Sequence, residues 1–279
     1  RNSAATRVNA QGLVENVQIL SSNLVQNGDF SEEGVQEVSN GSFSQEGVEL
    51  VTNGDFSVST GWFGLNADRV ISDGKLNISQ ASGFAVVYQP ETLIVGTYYK
   101  CVVEVSNYVD GSFKIGLAGS NVANSSPSIN ADGTFTFYLQ RLSGGSNNVG
   151  FVFGGLANLS IDNFSVREVG QNWDLGTGWS IGEDKAERVS TGTYTPITQG
   201  GILTAGKSYK VNYTINDGSV GGVRVQLGGT YSGDYNGVGT HTIYGVAGTS
   251  DFNNFKLVGE PSFNGSITNI SVKEVGQNW

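Results

Sequence analysis

The stretch NLSIDNFSVREVGQNW at 158–173 returns as NGSITNISVKEVGQNW at 264–279, which sets Trp173 and Trp279 106 residues apart. Both copies alternate apolar and polar side chains, the period of a strand with one face on a core. Working back from the two endings, the halves match element by element. LIVGTYYKCVVEVSN at 93–107 answers LTAGKSYKVNYTIND at 203–217, and SFKIGLAG at 112–119 answers GVRVQLGG at 222–229. DGTFTFYLQRLSG at 132–144 answers VGTHTIYGVAGTS at 238–250, and the Gly-Trp pair at 61–62 is matched with the one at 178–179. Short alternating strands separated by turn residues predict a β-sandwich in each half. The boundaries fall at 53–172 and 173–279. No Pro- or Ser-rich linker separates them, so stiff tandem stacking is expected.

Composition agrees with an all-β chain. Only 14% of the residues are charged, Gly occurs 41 times, and no long stretch carries a 3.6-residue apolar period. A net charge of −10 excludes the basic patches that nucleic acids and anionic membranes require. No apolar run is long enough to span a bilayer. The single cysteine, Cys101, sits in an alternating strand and reads as a core residue. The chain has no Met and begins on Arg1, which suggests an excised or processed segment; its end on a module boundary suggests that a further unit follows.

A second, shorter repeat precedes the sandwiches. NGDFS at 27–31, NGSFS at 40–44 and NGDFS at 53–57 begin 13 residues apart, with Phe30, Phe43 and Phe56 in register. Each unit reads as an Asn-Gly turn, a Phe-bearing strand, a Gly turn at Gly34 or Gly47, and a Val-rich strand. A unit this small cannot bury its apolar face alone and needs partners. Residues 20–52 are therefore expected to form an oligomeric stalk, with three chains winding together in a homotrimer. Residues 1–19 form a connecting segment.

Two resemblances extend this reading. LVTNGDFSVSTGW at 50–62, closed by LSIDNFSVREV at 159–169, resembles the jelly roll of carbohydrate-binding modules. In that family a calcium ion often ties the first strand to the last. Asp162 matches one ligand position; Ser57 departs from the other, although Asp55 lies beside it, and Thr268 replaces Asp162 in the second half. RNSAATRVNAQGLVE at 1–15, followed by the short repeats and then by the EVGQNW endings, resembles structural proteins of tailed bacteriophages, especially marine ones. That resemblance implies a virion appendage such as a tail fibre, neck fibre or capsid-surface protein. Its place would be on the virion surface or otherwise extracellular, with other virion proteins and host cell-surface polysaccharide as partners.

Catalytic chemistry is poorly supplied. His241 is the one histidine and has no Ser or Cys motif beside it. Asp and Glu are read as mostly turn residues, as in SDGK, VDGS and ADGT, and no phosphate-binding motif occurs. The chain is read as non-enzymatic. Glycan contact would use exposed aromatic rings among hydrogen-bonding side chains. GGTYSGDYNGVG at 228–239, expected to be a loop, supplies Tyr231, Asp234, Tyr235 and Asn236, with Tyr108 as a lesser candidate. Trp62 and Trp179 are assigned to packing. The leading function is host-surface glycan adhesion by a phage appendage. The alternatives are a purely structural spacer, a bacterial extracellular adhesin, and accessory carbohydrate-binding modules of a secreted enzyme.

Overall fold

The alternating segments form strands, and every named element is one. The computed structural model describes residues 6–16, 27–118, 124–218, 221–251 and 253–277. Among them no helix is long and apolar enough to cross a membrane. The expected connecting segment holds a small hairpin of Thr6–Val8 and Val14–Asn16. The first part of the expected stalk, 20–26, and Trp279 lie outside the described residues.

Two sandwiches follow, each with its own core. In the second, a five-stranded sheet (Asp174–Leu175, Thr195–Gln199, Phe255–Gly259, Gly222–Leu227, Thr230–Asn236) packs with a six-stranded one built around Gly265–Val275 and Ser208–Gly218. In the first, the corresponding layers are continuous, because Tyr98–Gly116 and Asn148–Val169 each run through both. The register shift between Phe153 and Ala157 marks the bend in the longer strand.

The 13-residue repeats depart from the expected stalk. They lie against the sandwiches of their own chain as a strap that runs opposite to the direction of the array. Glu33–Gln36 adds to the closing strand Gly265–Val275 of the second sandwich, and Glu46–Glu49 to Asn148–Val169 of the first. Gly34 and Gly47 are strand residues rather than turns. A Cβ at Gly34 would crowd the end of the Gln277 side chain, and one at Gly47 would stand 3.1 Å from the Glu168 Cβ, so glycine gives the strap its closest approach at both places. Val38, Phe43, Val51 and Phe56 are covered within one chain, whereas Phe30, Val35 and Val48 of the same repeats stay exposed.

Each NGxF segment is a turn, not a strand. Asn40 and Phe43 both have positive φ, 49° and 58°, as do Asn53 and Phe56 at 53° and 48°. This geometry throws the ring sideways into a sandwich. Phe56 meets Trp62 at 5.0 Å between centroids, and Trp62 Nε1 donates to Asn53 O at 3.0 Å. Phe43 meets Trp173 at 5.3 Å, and Trp173 Nε1 donates to Asn40 O at 3.1 Å. The structural counterpart of Trp62 is therefore Trp173, not Trp179 as the Gly-Trp pairs suggested. Trp179 instead starts a hairpin, opposite Arg188, and is buried.

The second sandwich is accordingly discontinuous: its core takes Val38 and Phe43 from the strap, as the first takes Val51 and Phe56. Buried Gln199 clamps the strap by bonding both the N–H and the C=O of Ser39, and buried Gln89 does the same for Thr52. Outside the core, Glu33 bridges Lys210 at 2.6 Å and Lys273 at 3.1 Å, while Glu46 bridges Lys100 and Arg167.

Two outcomes follow from this arrangement. Phe43→Ala should lower the stability of the second sandwich by about 3–5 kcal/mol in urea unfolding. Phe30→Ala, at a ring 62% exposed, should cost no more than about 1 kcal/mol. Acid should loosen the strap. Burial acts to raise the Glu49 pKa, but hydrogen bonds from Ser165, the Val166 and Val51 amides and Arg167 together hold it below its ordinary 4.5. A lowered folded-state pKa gives stability that is present above 4.5 and lost as pH falls through the folded value. Thermal unfolding scanned from about pH 6 to about pH 3 should show that loss, and Glu49→Gln should flatten it.

Candidate functional site

The stretch 228–239 is mostly strand rather than loop. Thr230–Asn236 is the outermost strand of the five-stranded sheet and, among the described residues, pairs with Gly222–Leu227 alone. One extra residue is accommodated between the Arg224 and Gln226 pairings, a bulge at a glycine-containing edge. The register sets Tyr231 opposite Gln226, Asp234 opposite Arg224, Tyr235 opposite Val223 and Asn236 opposite Gly222. Val223 belongs to the core, whereas Gln226 lies on the outer face. Positions 231 and 235 therefore fall on opposite faces of the sheet. Tyr231 is 59% exposed, and Asn236 is exposed as well.

The outer face beside Tyr231 holds residues that sequence reasoning did not single out. A row of directly paired positions crosses the sheet from Tyr231 through Gln226 and Lys256 to Thr198. Next to it the Arg224 guanidinium lies 4.3 Å from the ring centre of Tyr194, which is half exposed, and is held 3.4 Å from Glu260. Lys256 is fixed by Asp251 at 2.6 Å. The face thus combines two exposed tyrosines with amide, hydroxyl, ammonium and guanidinium groups. Tyr194 stands in a stretch without motif, and only the sheet register brings it near Arg224. The equivalent face of the first sandwich carries a different aromatic group, the stacked pair Phe63 and Tyr88, 5.6 Å apart.

Tyr108 does not join this face. It lies in the first sandwich, half-buried against that core; its hydroxyl donates to Gly111 O at 3.1 Å and its N–H to Asp132 Oδ1 at 2.8 Å. Asp55 and Asp162 are each engaged locally. Asp55 Oδ1 accepts from the Ser57 hydroxyl at 3.0 Å, and Asp162 Oδ1 from the Asn163 N–H at 2.7 Å. Among the described residues, no three His, Cys, Asp or Glu side chains are grouped to hold a metal ion. A calcium ion normally takes six to eight oxygens, and these two carboxylates do not fit one. His241 Nε2 lies 2.9 Å from Gly237 O and its ring packs beside Tyr213. Cys101 is fully buried, and burial pushes its thiol pKa up, away from reactivity.

No family model matches the chain, and no curated protein does. Solved structures match at low similarity. The tandem CBM22 domain of Xyn10C from Paenibacillus barcinonensis is 10% identical with a TM-score of 0.33, over 82% of this chain and 98% of that one. Allantoicase from Saccharomyces cerevisiae is 10% identical with a TM-score of 0.32, over 86% and 93%. A fucolectin from striped bass, Morone saxatilis, is 9% identical with a TM-score of 0.26, over 88% and 99%. Likeness this distant says nothing about what the chain binds.

The carboxylate geometry predicts the response to metal. Millimolar calcium or excess chelator should leave the unfolding temperature within about 1 °C, since only a bound ligand adds stability by mass action. A calcium-dependent rise of several degrees, lost in Asp162→Asn, would restore the ion.

Proposed function

We propose that the chain is a non-catalytic structural array of a tailed-phage virion appendage, whose second sandwich offers its outer face to host-surface glycans. The observation that carries this reading is Tyr231, an exposed ring at a sheet edge directly opposite Gln226 and in line with Lys256 and Thr198. A ring of this kind stacks on the apolar face of a sugar, and the neighbouring amide, ammonium and hydroxyl groups suit its hydroxyls. Host polysaccharide and other virion proteins are the partners, and the virion surface is the location. The phage assignment is supported by the order of the N-terminal segment, short repeats and EVGQNW endings along the sequence.

A purely structural spacer is the second reading, favoured by a specific observation. The strap clamps both sandwiches through Gln89 and Gln199, a device that holds modules in register without any ligand.

A glycan array of the intact chain separates the two. Under the adhesion reading the wild type should bind a polysaccharide, and Tyr231→Ala should weaken it by about tenfold or more, about 1.4 kcal/mol. Tyr108→Ala should leave binding unchanged. Binding by neither wild type nor variant favours the spacer.

A further inference from the structure

An apolar concavity of about 600 Å³ opens at the far end of the second sandwich, lined by Phe30, Lys210, Tyr244, Val246, Val275 and Gly276 among others. We infer that this end is a docking socket for a third sandwich of the same type, continuing the array beyond Trp279.

The junction between the two sandwiches shows what the socket receives. Register equates Tyr98, Lys100, Tyr138 and Gln140 at the end of the first sandwich with Ser208, Lys210, Tyr244 and Val246 at the end of the second. At the junction these positions are covered. Tyr98 and Tyr138 pack against the core of the second sandwich, and Tyr98 Oη donates to Trp179 O at 3.3 Å. Val169 is buried in that same core, although it ends a strand of the first sandwich. A Cβ on Gly170 would stand 2.6 Å from Ile181, so the next sandwich presses directly on the chain there.

At the far end two of the four counterparts are uncovered, while Ser208 and Lys210 are half-buried as Tyr98 and Lys100 are. Tyr244 is 65% and Val246 51% exposed, Val275 lines the cavity, and a Cβ on Gly276 would meet nothing within 4 Å. The apolar surface is of the kind already used once, at the same place in the same fold.

The strap identifies the occupant. Three NGxF turns exist for two sandwiches. The turn at 53–56 serves the first sandwich and the turn at 40–43 the second. At the junction Asn40 Nδ2 donates to Gln171 O at 3.3 Å; Asn27 Nδ2 makes the same bond to Gln277 O at 3.3 Å, so the turn at 27–30 already sits at the start of a next module. Asn27 and Phe30 have the left-handed φ of their counterparts, 50° and 57°. A second copy of the chain fits poorly here. Its leading sandwich already carries its own turn and Trp, Asn53–Phe56 with Trp62, which would claim the place that the turn at 27–30 holds.

The test extends the intact chain, after Trp279, by a second copy of residues 174–279 that itself carries Tyr244→Ser, so that Trp279 stands where Trp173 does and a single Tyr244 reports on the socket. Hydroxyl-radical footprinting should show Tyr244 labelling fall to the level of Tyr138 in the extended chain. Phe30→Ala in that chain should restore the labelling, while Phe63→Ala, on the remote face of the first sandwich, should not. Tyr244 labelled equally in extended and unextended chains would overturn the socket. So would self-association of the unextended chain by light scattering that Tyr244→Glu abolishes, because the occupant would then be a second copy.

Discussion

The contact between Phe43 and Trp173 ties together residues 130 apart, and the rest of the architecture follows from it. A sandwich needs a plug at the end where its first strand enters, and here the plug is a turn with two residues in the left-handed region. Asn tolerates that region better than most residues, but Phe does not. The strain is held by three things at once: the Trp Nε1 bond to the Asn carbonyl, the Asn side chain bonded across the junction, and the ring buried in the core. Because the plug of the second sandwich lies upstream of the first, the chain must pass along the whole first sandwich to deliver it.

That passage explains the spacing. Thirteen extended residues span at most about 45 Å, so a turn fixed at one junction places the next turn one sandwich further along. Along the way the strap hydrogen-bonds to the closing strand and covers an edge that would otherwise stay open to foreign strands. The carboxylates of Glu33, Glu46 and Glu49 then meet Lys and Arg side chains of the sheets. These exposed pairs add little individually. They set the lateral register, while the Phe rings and the two buried Gln clamps hold the strap in place.

Much of this was legible in the sequence. The two periods, of 13 and 106 residues, are visible without any structure, and alternation in segments such as KCVVEV fixed the all-β class. The relation between the periods was not legible. A short apolar repeat shows that its face must be covered, but a trimer and an intramolecular strap leave the same pattern. The Gly-Trp pairs misled because two residues are local, whereas the equivalence of Trp62 with Trp173 rests on a hydrogen bond to a distant turn. Tyr231 was found and its setting was not: glycines read as loop are tolerated at an edge strand with a bulge. Tyr194 and Arg224 come together only through cross-strand register, which no window of sequence contains.

The strap also bears on the order in which the array assembles. In the first sandwich the plug Asn53–Phe56 is contiguous with the fold it closes, so that sandwich can form from one continuous stretch of chain. The second must join residues 38–43 to residues from 169 onward, a loop closure that an unfolded chain makes slowly. Once the first sandwich is folded, Glu46–Glu49 is already paired beside Arg167 and Val169. Phe43 is then only a few residues from a fixed point, next to where Trp173 will lie, and the effective loop shrinks from more than a hundred residues to a handful. The strap's antiparallel course thus shortens the closure of the second sandwich whenever the first is already folded.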